Sequence, residues 1–324
     1  MFAWRDRSVL VTGATGIVGA WLCETLLSLG ASVAALVLDD DPRSRFFSDG
    51  ISERCAIVNG NLADVAACSR ALNLHEVDVV FHLGAQTIVG AALRDPLECL
   101  ETNVRGTYNL LEAARRLPGL ATRIVVASSD KAYGESPVLP YTEEMPLRGR
   151  HPYDVSKSCA DLISIAYSAT YGLPIAVARC GNIYGGGDLN WSRIVPGTIR
   201  SLARNGRPIL RSDGSPTRDY LFVCDVVSAY IALAEQLDRS EVVGQAFNFG
   251  PQSEISAIDM VRAIQRAMNV DTDPQILGTA KFEINRQTLD STKARELLGW
   301  TAAYTLERGL RETVDWYVRY LNAN

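Results

Sequence analysis

The 324 residues are 47% hydrophobic and 21% charged, the composition of an ordinary globular chain, and long enough for two domains or one large domain with a second lobe. The net charge is −5 and Lys and Arg form no run or stripe. Neither a nucleic-acid nor an anionic-membrane partner is therefore expected, while a small anionic ligand needs only a few local cations. The cysteines at 23, 55, 68, 99, 159, 180 and 224 are odd in number, widely spaced and without a C-x-x-C. This predicts reduced thiols in the cytoplasm rather than a disulfide framework or a zinc site, and no metal is expected. Residues 1–6 lead straight into an apolar strand, so no signal peptide is expected, and no apolar run reaches the length of a membrane span.

In chain order, Ser8-Val-Leu-Val-Thr12 is a short apolar run with β-branched residues and predicts a buried strand. Ile17 to Leu29 has helical periodicity and stops at Gly30. Ser32 to Leu38, Cys55 to Val58 and Val77 to His82 predict the next three strands. Leu97 to Leu117 predicts one long helix, Arg123 to Ala127 a strand, Tyr153 to Tyr171 a helix and Ile175 to Arg179 a further strand. Strand and helix in turn imply an α/β fold built of βαβ units, a doubly wound parallel sheet. Beyond Arg179 the pattern changes. Gly185-Gly-Gly-Asp-Leu-Asn190 is a loop, helices are expected at about Ser192–Asn205 and Val226–Leu237, and two more flank Gly299-Trp300 between Ser291 and Leu321. The expected division is 1–180, with a contribution from about 220–248, as a nucleotide-binding domain, and 181–324 as a smaller α/β substrate lobe.

Thr12-Gly13-Ala14-Thr15-Gly16-Ile17-Val18-Gly19 stands where the first strand hands over to the first helix. Gly13 permits the tight turn, Gly16 lets the backbone approach a pyrophosphate, and Gly19 lets helix and strand pack closely. The helix N-terminus then offers free N–H groups to the phosphates. This predicts a Rossmann-like domain and a dinucleotide; a purely structural turn is the alternative. Val37 occupies the usual position of the ribose-binding acid, and Asp39 follows as the candidate, with Asp40 and Asp41 equally explained as a solvated turn. The acidic cluster and the lack of an arginine directly after the strand favour NAD over NADP.

Tyr153-Asp-Val-Ser-Lys157 places a tyrosine and a lysine four apart on one helical face. A phenol titrating near about 10 is a poor base at neutral pH. A nearby ammonium and an oxidised nicotinamide would stabilise the phenolate. Tyr153 would then take a proton from a hydroxyl while hydride leaves its carbon. On a surface the same spacing would be only a Tyr–Lys contact.

With His82-Leu-Gly-Ala-Gln86, Thr102-Asn103-Val-Arg-Gly-Thr107, Arg218-Asp-Tyr-Leu-Phe-Val-Cys-Asp225, Leu298-Gly-Trp300 and Gly309-Leu-Arg-Glu-Thr-Val-Asp-Trp316, these segments resemble the extended short-chain dehydrogenase/reductases, the NAD-dependent epimerase/dehydratase family, over nearly the whole chain. The resemblance implies NAD, a nucleotide-diphosphate sugar substrate, and a homodimer built from Leu97–Leu117 and Tyr153–Tyr171. It implies cofactor contacts at Gly13, Thr15, Gly16, Ile17, Gly19, Asp39, Asn61, Leu62, Leu83, Ala85, Gln86, Asn103, Tyr153 and Lys157. It implies substrate contacts at Gln86, Ser129, Asn182, Arg193, Arg211, Arg218 and Glu283, with Ser129 on the sugar O4, Asn182 on the diphosphate and the arginines as its cations. A turn hydrogen bond is the alternative for Ser129, and a solvated surface role for each arginine. His151 is assigned no role.

The segment Ser128-Ser129-Asp130-Lys131-Ala132-Tyr133-Gly134 discriminates within the family. Its Asp-Lys pair stands where dTDP-glucose 4,6-dehydratases carry Asp-Glu, and resembles CDP-glucose 4,6-dehydratases and inverting UDP-N-acetylglucosamine dehydratases. Asp39, Gly185 to Asp188, and Glu283 upstream of Leu289-Asp290 lean towards the CDP-glucose group, whereas Arg218-Asp-Tyr departs from it. Once C4 is a ketone the C5 proton is acidic. Asp130 would then protonate the departing C6 hydroxyl, and Lys131, its amine made basic-form by Lys157 and the oxidised ring, would remove that proton. A local salt bridge is the alternative for this pair. The expected function is an NAD-dependent nucleotide-sugar 4,6-dehydratase, a lyase that returns the hydride to C6, with CDP-glucose the favoured substrate. A 4-epimerase is favoured instead if Lys131 points away from the sugar. A non-catalytic NAD-binding sensor is disfavoured by the intact Ser129, Tyr153 and Lys157.

Overall fold

The computed structural model describes residues 2–280 and 283–323; Met1, Lys281, Phe282 and Asn324, which fall within the expected 1–180 and 181–324 segments, lie outside the described residues. The strands are β1 (Ser8–Thr12), β2 (Ser32–Val37), β3 (Ala56–Asn59), β4 (Val79–His82), β5 (Arg123–Ser129), β6 (Ile175–Cys180), β7 (Asn182–Tyr184), β8 (Ile209–Leu210), β9 (Thr217–Phe222), β10 (Gln245–Phe249), β11 (Glu254–Ser256) and β12 (Gln275–Ile276). The helices are α1 (Ile17–Ser28), α2 (Arg45–Ser48), α3 (Val65–Leu74), α4 (Val89–Arg94), α5 (Pro96–Leu100), α6 (Gly106–Arg116), α7 (Pro152–Tyr171), α8 (Ile194–Ala203), α9 (Val223–Glu235), α10 (Ala257–Met268), α11 (Thr292–Leu298) and α12 (Leu306–Ala323).

Seven strands form one sheet in the order β10-β6-β5-β4-β1-β2-β3, every pairing parallel. Strands such as β6 are buried at every residue, as a parallel sheet covered by helices on both faces requires. Alternate residues feed opposite faces. Val9, Val11 and Val125 join one core with α1 and α9, whereas Leu10, Ile124 and Val126 join a second with α3 and α6. A second, three-stranded sheet of β11, β9 and β7 carries the polypeptide beyond β6 over the carboxyl ends of the main sheet. No helix among the described residues is long and apolar enough to cross a membrane.

The fold differs from the sequence reading in several places, with α2, α4 and β10 among the elements that had no counterpart in it. The helix expected over Leu97–Leu117 is broken: α5 ends at Leu100, a π-helical turn spans Glu101–Arg105, and α6 begins at Gly106. The extra residue of a π-turn turns a side chain through a face that regular periodicity would not give it. The helix α3, capped by the Asp64 carboxylate accepting from Ala66 N, had no counterpart in the reading; nor had α10, capped at Ser256 and closed by left-handed Asn269.

Candidate active site

The glycine turn gives the site its floor. Gly13 has φ +74°, and a Cβ there would lie 2.8 Å from the Gly84 backbone N, so β1 and the loop after β4 can approach only at glycine. At Gly19 a Cβ would collide with the Gly13 carbonyl, whereas at exposed Gly16 it would meet only that carbonyl, at 3.3 Å. The turn is therefore packed beneath and open above. Gly16 also caps α1 without a side chain, and no acidic residue stands in the first turn, so the positive helix end faces outward for an anion. These features fit a dinucleotide pyrophosphate. Thr15 and Ile17 stand half-buried at the rim of the same turn.

The loop after β2 leaves Asp39 exposed. Asp41 is occupied by Arg43, which donates to it at 2.9 and 3.0 Å. Arg45 turns inward, ion-paired to Glu24 at 2.6 Å and stacked on Trp21 at 3.9 Å. Arg43 and Arg45 are thus engaged, and Asp39 and Asp40 both stand exposed after β2.

Behind the cofactor ledge a buried network fixes the loop after β4. Thr12 Oγ1 accepts from Leu83 N and Gly84 N at 3.1 and 2.9 Å and meets His82 Nδ1 at 2.9 Å, while His82 Nε2 meets Thr107 Oγ1 at 3.0 Å. Burial, helped by the Lys157 charge, lowers His82 to about 3, so the imidazole is neutral. The π-turn brings Asn103 to Gln86: Asn103 Oδ1 accepts from Gln86 N at 2.7 Å, and its Nδ2 donates to Gln86 O at 2.9 Å and Ser156 Oγ at 2.8 Å. Asn103 is 2% exposed, so it holds the ledge from behind. Gln86 spends its amide oxygen on Ile88 N at 2.8 Å. Leu83 and Ala85 stand half-buried along this loop. Leu62 is buried against Gly84 and Gly106, and Asn61 is exposed with its side-chain oxygen on Ala63 N.

At the carboxyl end of β5 the candidate chemical groups converge. Ser129 caps a short 3-10 turn, Asp130–Tyr133, by accepting from Lys131 N, and its hydroxyl donates to Asp130 Oδ1 at 2.9 Å. Asp130 is 2% exposed, with Oδ2 buried and without a hydrogen-bond partner. Lys131 Nζ lies 3.6 Å from Asp130 Oδ1 and donates to Asn182 Oδ1 at 3.3 Å and to Gln287 Oε1. Burial lowers the Lys131 amine from its ordinary value; Asp130 and Asp154 oppose this and Arg218 adds to it. The cation that lowers Lys131 is thus Arg218, not Lys157 as the sequence suggested, and Lys157 donates to Ala127 O at 2.8 Å. Burial likewise lowers Lys157, to about 8. The Tyr153 phenol is pushed up by burial, with Arg193 and a hydrogen bond to Ser129 opposing. The cation acting on Tyr153 is therefore Arg193, not the expected Lys157, and its lowering is outweighed by burial.

The other substrate candidates ring this centre from beyond β6. Arg193 donates to Asp188 Oδ2 at 2.9 Å and Thr87 Oγ1 at 3.0 Å. Exposed Arg211 reaches Ser192 O at 3.0 Å, beside Arg193. Buried Arg218 is paired with exposed Glu283 at 3.2 Å. Asn182 accepts from Lys131 through its amide oxygen at 3.3 Å, and a diphosphate would be met by its amide N–H groups. The sequence reading missed Gln287 altogether, since a polar residue in a loop carries no local signal, and left Asp188 and Thr87 without roles.

A Rossmann-type floor, a Tyr–Lys helix and a Ser-Asp-Lys turn define a class of NAD-dependent sugar-nucleotide enzymes. Residues 10–313 match the family model described as GDP-mannose 4,6 dehydratase, and the chain belongs to that family. It is similar to the CDP-glucose 4,6-dehydratase of Salmonella typhimurium, 29% identical over 98% of this chain and 92% of that protein. It is similar also to the UDP-glucose 4-epimerase of Mycolicibacterium smegmatis, 32% identical over 95% and 97%. The chain spans 48% of the length of trifunctional plant relatives from Arabidopsis thaliana. In structure it resembles the dTDP-glucose 4,6-dehydratase of Bacillus anthracis in complex with NAD, with a TM-score of 0.86 at 26% identity over 97% of each chain. The fold class and the family expected from the motifs are thereby met.

Proposed function

We propose that this chain is an NAD-dependent nucleotide-sugar 4,6-dehydratase, with CDP-glucose as the favoured substrate. The observation that carries it is the Asp130–Lys131 pair beside Ser129 and Tyr153, with one buried Asp130 oxygen lacking a partner. An unsatisfied buried acceptor costs about 1–3 kcal/mol, a cost offset when a substrate hydroxyl meets it. The Gly13–Gly19 ledge would hold NAD, with Asp39 on a ribose, and the cofactor would supply hydride acceptance and return.

The residues then divide the proton work. Tyr153 takes the proton of the C4 hydroxyl as hydride departs, and the Lys157 ammonium steadies the phenolate. Lys131 takes the C5 proton, made acidic by the C4 ketone, and Asp130 protonates the C6 hydroxyl, which leaves as water. Lys131 returns its proton to C5 when hydride adds at C6. Over one turnover Tyr153 gains a proton and Asp130 gives one up. Ser129, bonded to Asp130 and in contact with Tyr153, is the group that joins them. Arg193, Arg211 and Arg218 would hold the diphosphate, with Asn182, Gln86 and Glu283 around the sugar and its phosphates.

A homodimer is supported by apolar side chains left exposed on α5, α6 and α7, namely Leu97, Leu100, Tyr108 and Leu162. The second functional reading, a 4-epimerase, is favoured by the 32% identity to the mycobacterial epimerase. The deciding experiment is incubation with NAD and a panel of CDP-, dTDP-, GDP- and UDP-sugars, read by mass spectrometry. Loss of one water from CDP-glucose supports the proposal, and a mass-neutral isomer alone replaces it with the epimerase.

A further inference from the structure

Lys131 is held by more than its neighbour in sequence. Its ammonium donates to two amide oxygens, Asn182 Oδ1 at 3.3 Å and Gln287 Oε1. Gln287 is completely buried and reaches Lys131 from 156 positions further along the chain. Its segment is fixed by three bonds: Gln287 N donates to Thr217 O at 3.2 Å, Tyr141 N to Thr288 O at 2.9 Å, and Leu289 N to Asp219 Oδ2 at 3.2 Å. The backbone thus delivers a neutral amide to one atom of the chemical site.

We propose that Gln287 is a positioning residue for Lys131: its amide oxygen, with that of Asn182, takes two of the three positions at Nζ and leaves the third, on the Asp130 side, for the proton exchanged with the sugar. The proposal rests on the dehydratase reading above. A neutral amine has two N–H bonds and one lone pair. Amide oxygens accept the N–H bonds and repel the lone pair, which must take the remaining direction. Removing the C5 proton makes that lone pair the third N–H bond, and the C–H electron pair stays on the sugar as the enolate. Neutral acceptors suit this task because a carboxylate in either place would hold the ammonium form. The charged groups already facing Lys131 are Asp130, Asp154 on α7 and Arg218 on β9.

The test is Q287L and the near-isosteric Q287E in the full chain with NAD. The Lys131 amine is titrated by competitive acetylation with acetic anhydride and read by peptide mass. The labelling midpoint should fall in Q287L, which loses an acceptor, and rise in Q287E, which gains a charge, with labelling at a fixed pH changing by about tenfold in each direction. The acid limb of kcat should follow the same two directions, and Q287L should lose about tenfold in plateau kcat while KM stays within about twofold. Midpoints that do not move, or that move the same way in both variants, overturn the proposal. A native chain that removes no water from any nucleotide sugar overturns the dehydratase reading instead, and the labelling arm is independent of that outcome.

Discussion

At the scale of single residues the two lysines of the candidate site stand in different surroundings. The Lys157 amine donates to the Ala127 carbonyl, and burial brings it to about 8. If its ammonium steadies the Tyr153 phenolate, turnover should fall as pH rises through about 8, which a pH profile of kcat would show. The sign for stability is opposite. A folded value below the ordinary 10.5 means that the group's contribution is full above about 10.5 and is lost as pH falls through about 8, a cost on the order of 3 kcal/mol at neutral pH. Melting temperatures compared at pH 7 and at pH 10 should therefore favour Lys157→Met over the native chain more at the lower pH, while that variant has no turnover. Lys131→Ala separates the two halves of the chemistry. C4 oxidation should persist, seen as accumulation of reduced cofactor, and water loss should fall by about a hundredfold or more; undiminished water loss would remove Lys131 from the mechanism. Tyr153→Phe should suppress both halves.

The elements show why some of this was legible and some was not. The glycine turn, the Tyr–Lys helix and the Ser-Asp-Lys turn are each encoded within a few consecutive residues, so short-range pattern was enough to find them. The π-turn at Glu101–Arg105 replaces one hydrogen-bonding register with another inside an unbroken helical sequence, and nothing in apolar spacing marks it. Gln287 enters the site because Thr217, Tyr141 and Asp219 pin its segment, a tertiary fact. A second such arrangement lies under the turn. Arg179 on β6 is paired with Asp161 on α7 at 2.8 and 2.9 Å and donates to Tyr133 Oη at 2.8 Å. Tyr133 in turn donates to Asn248 on β10 at 2.7 Å. Asp161→Ala would strand a buried guanidinium, and a loss of about 3–5 kcal/mol in denaturant unfolding is expected. A loss under about 1 kcal/mol would show that the network adapts.

For the molecule as a whole, the exposed Leu97 and Leu162, 68% and 59% accessible, are the features that an assembly would cover. Light scattering should give twice the mass of the 35.3 kDa chain, and Leu97→Glu with Leu162→Glu should halve it; a native monomer would remove the dimer from the account. Alternating strands and helices made six of the seven strands of the main sheet legible from sequence, whereas β10 and the route of the later polypeptide were not.

The separation of Lys131 from Gln287 by 156 positions has a consequence for how the enzyme fails. The dinucleotide ledge is closed by β1, α1 and the loop after β4, all lying before α4 in the chain, but the grip on Lys131 depends on a distant loop held by a few hydrogen bonds. In rising urea, water elimination should therefore disappear while nicotinamide binding, followed by fluorescence, is still intact, leaving an oxidising half-enzyme in which the sugar is started and never finished.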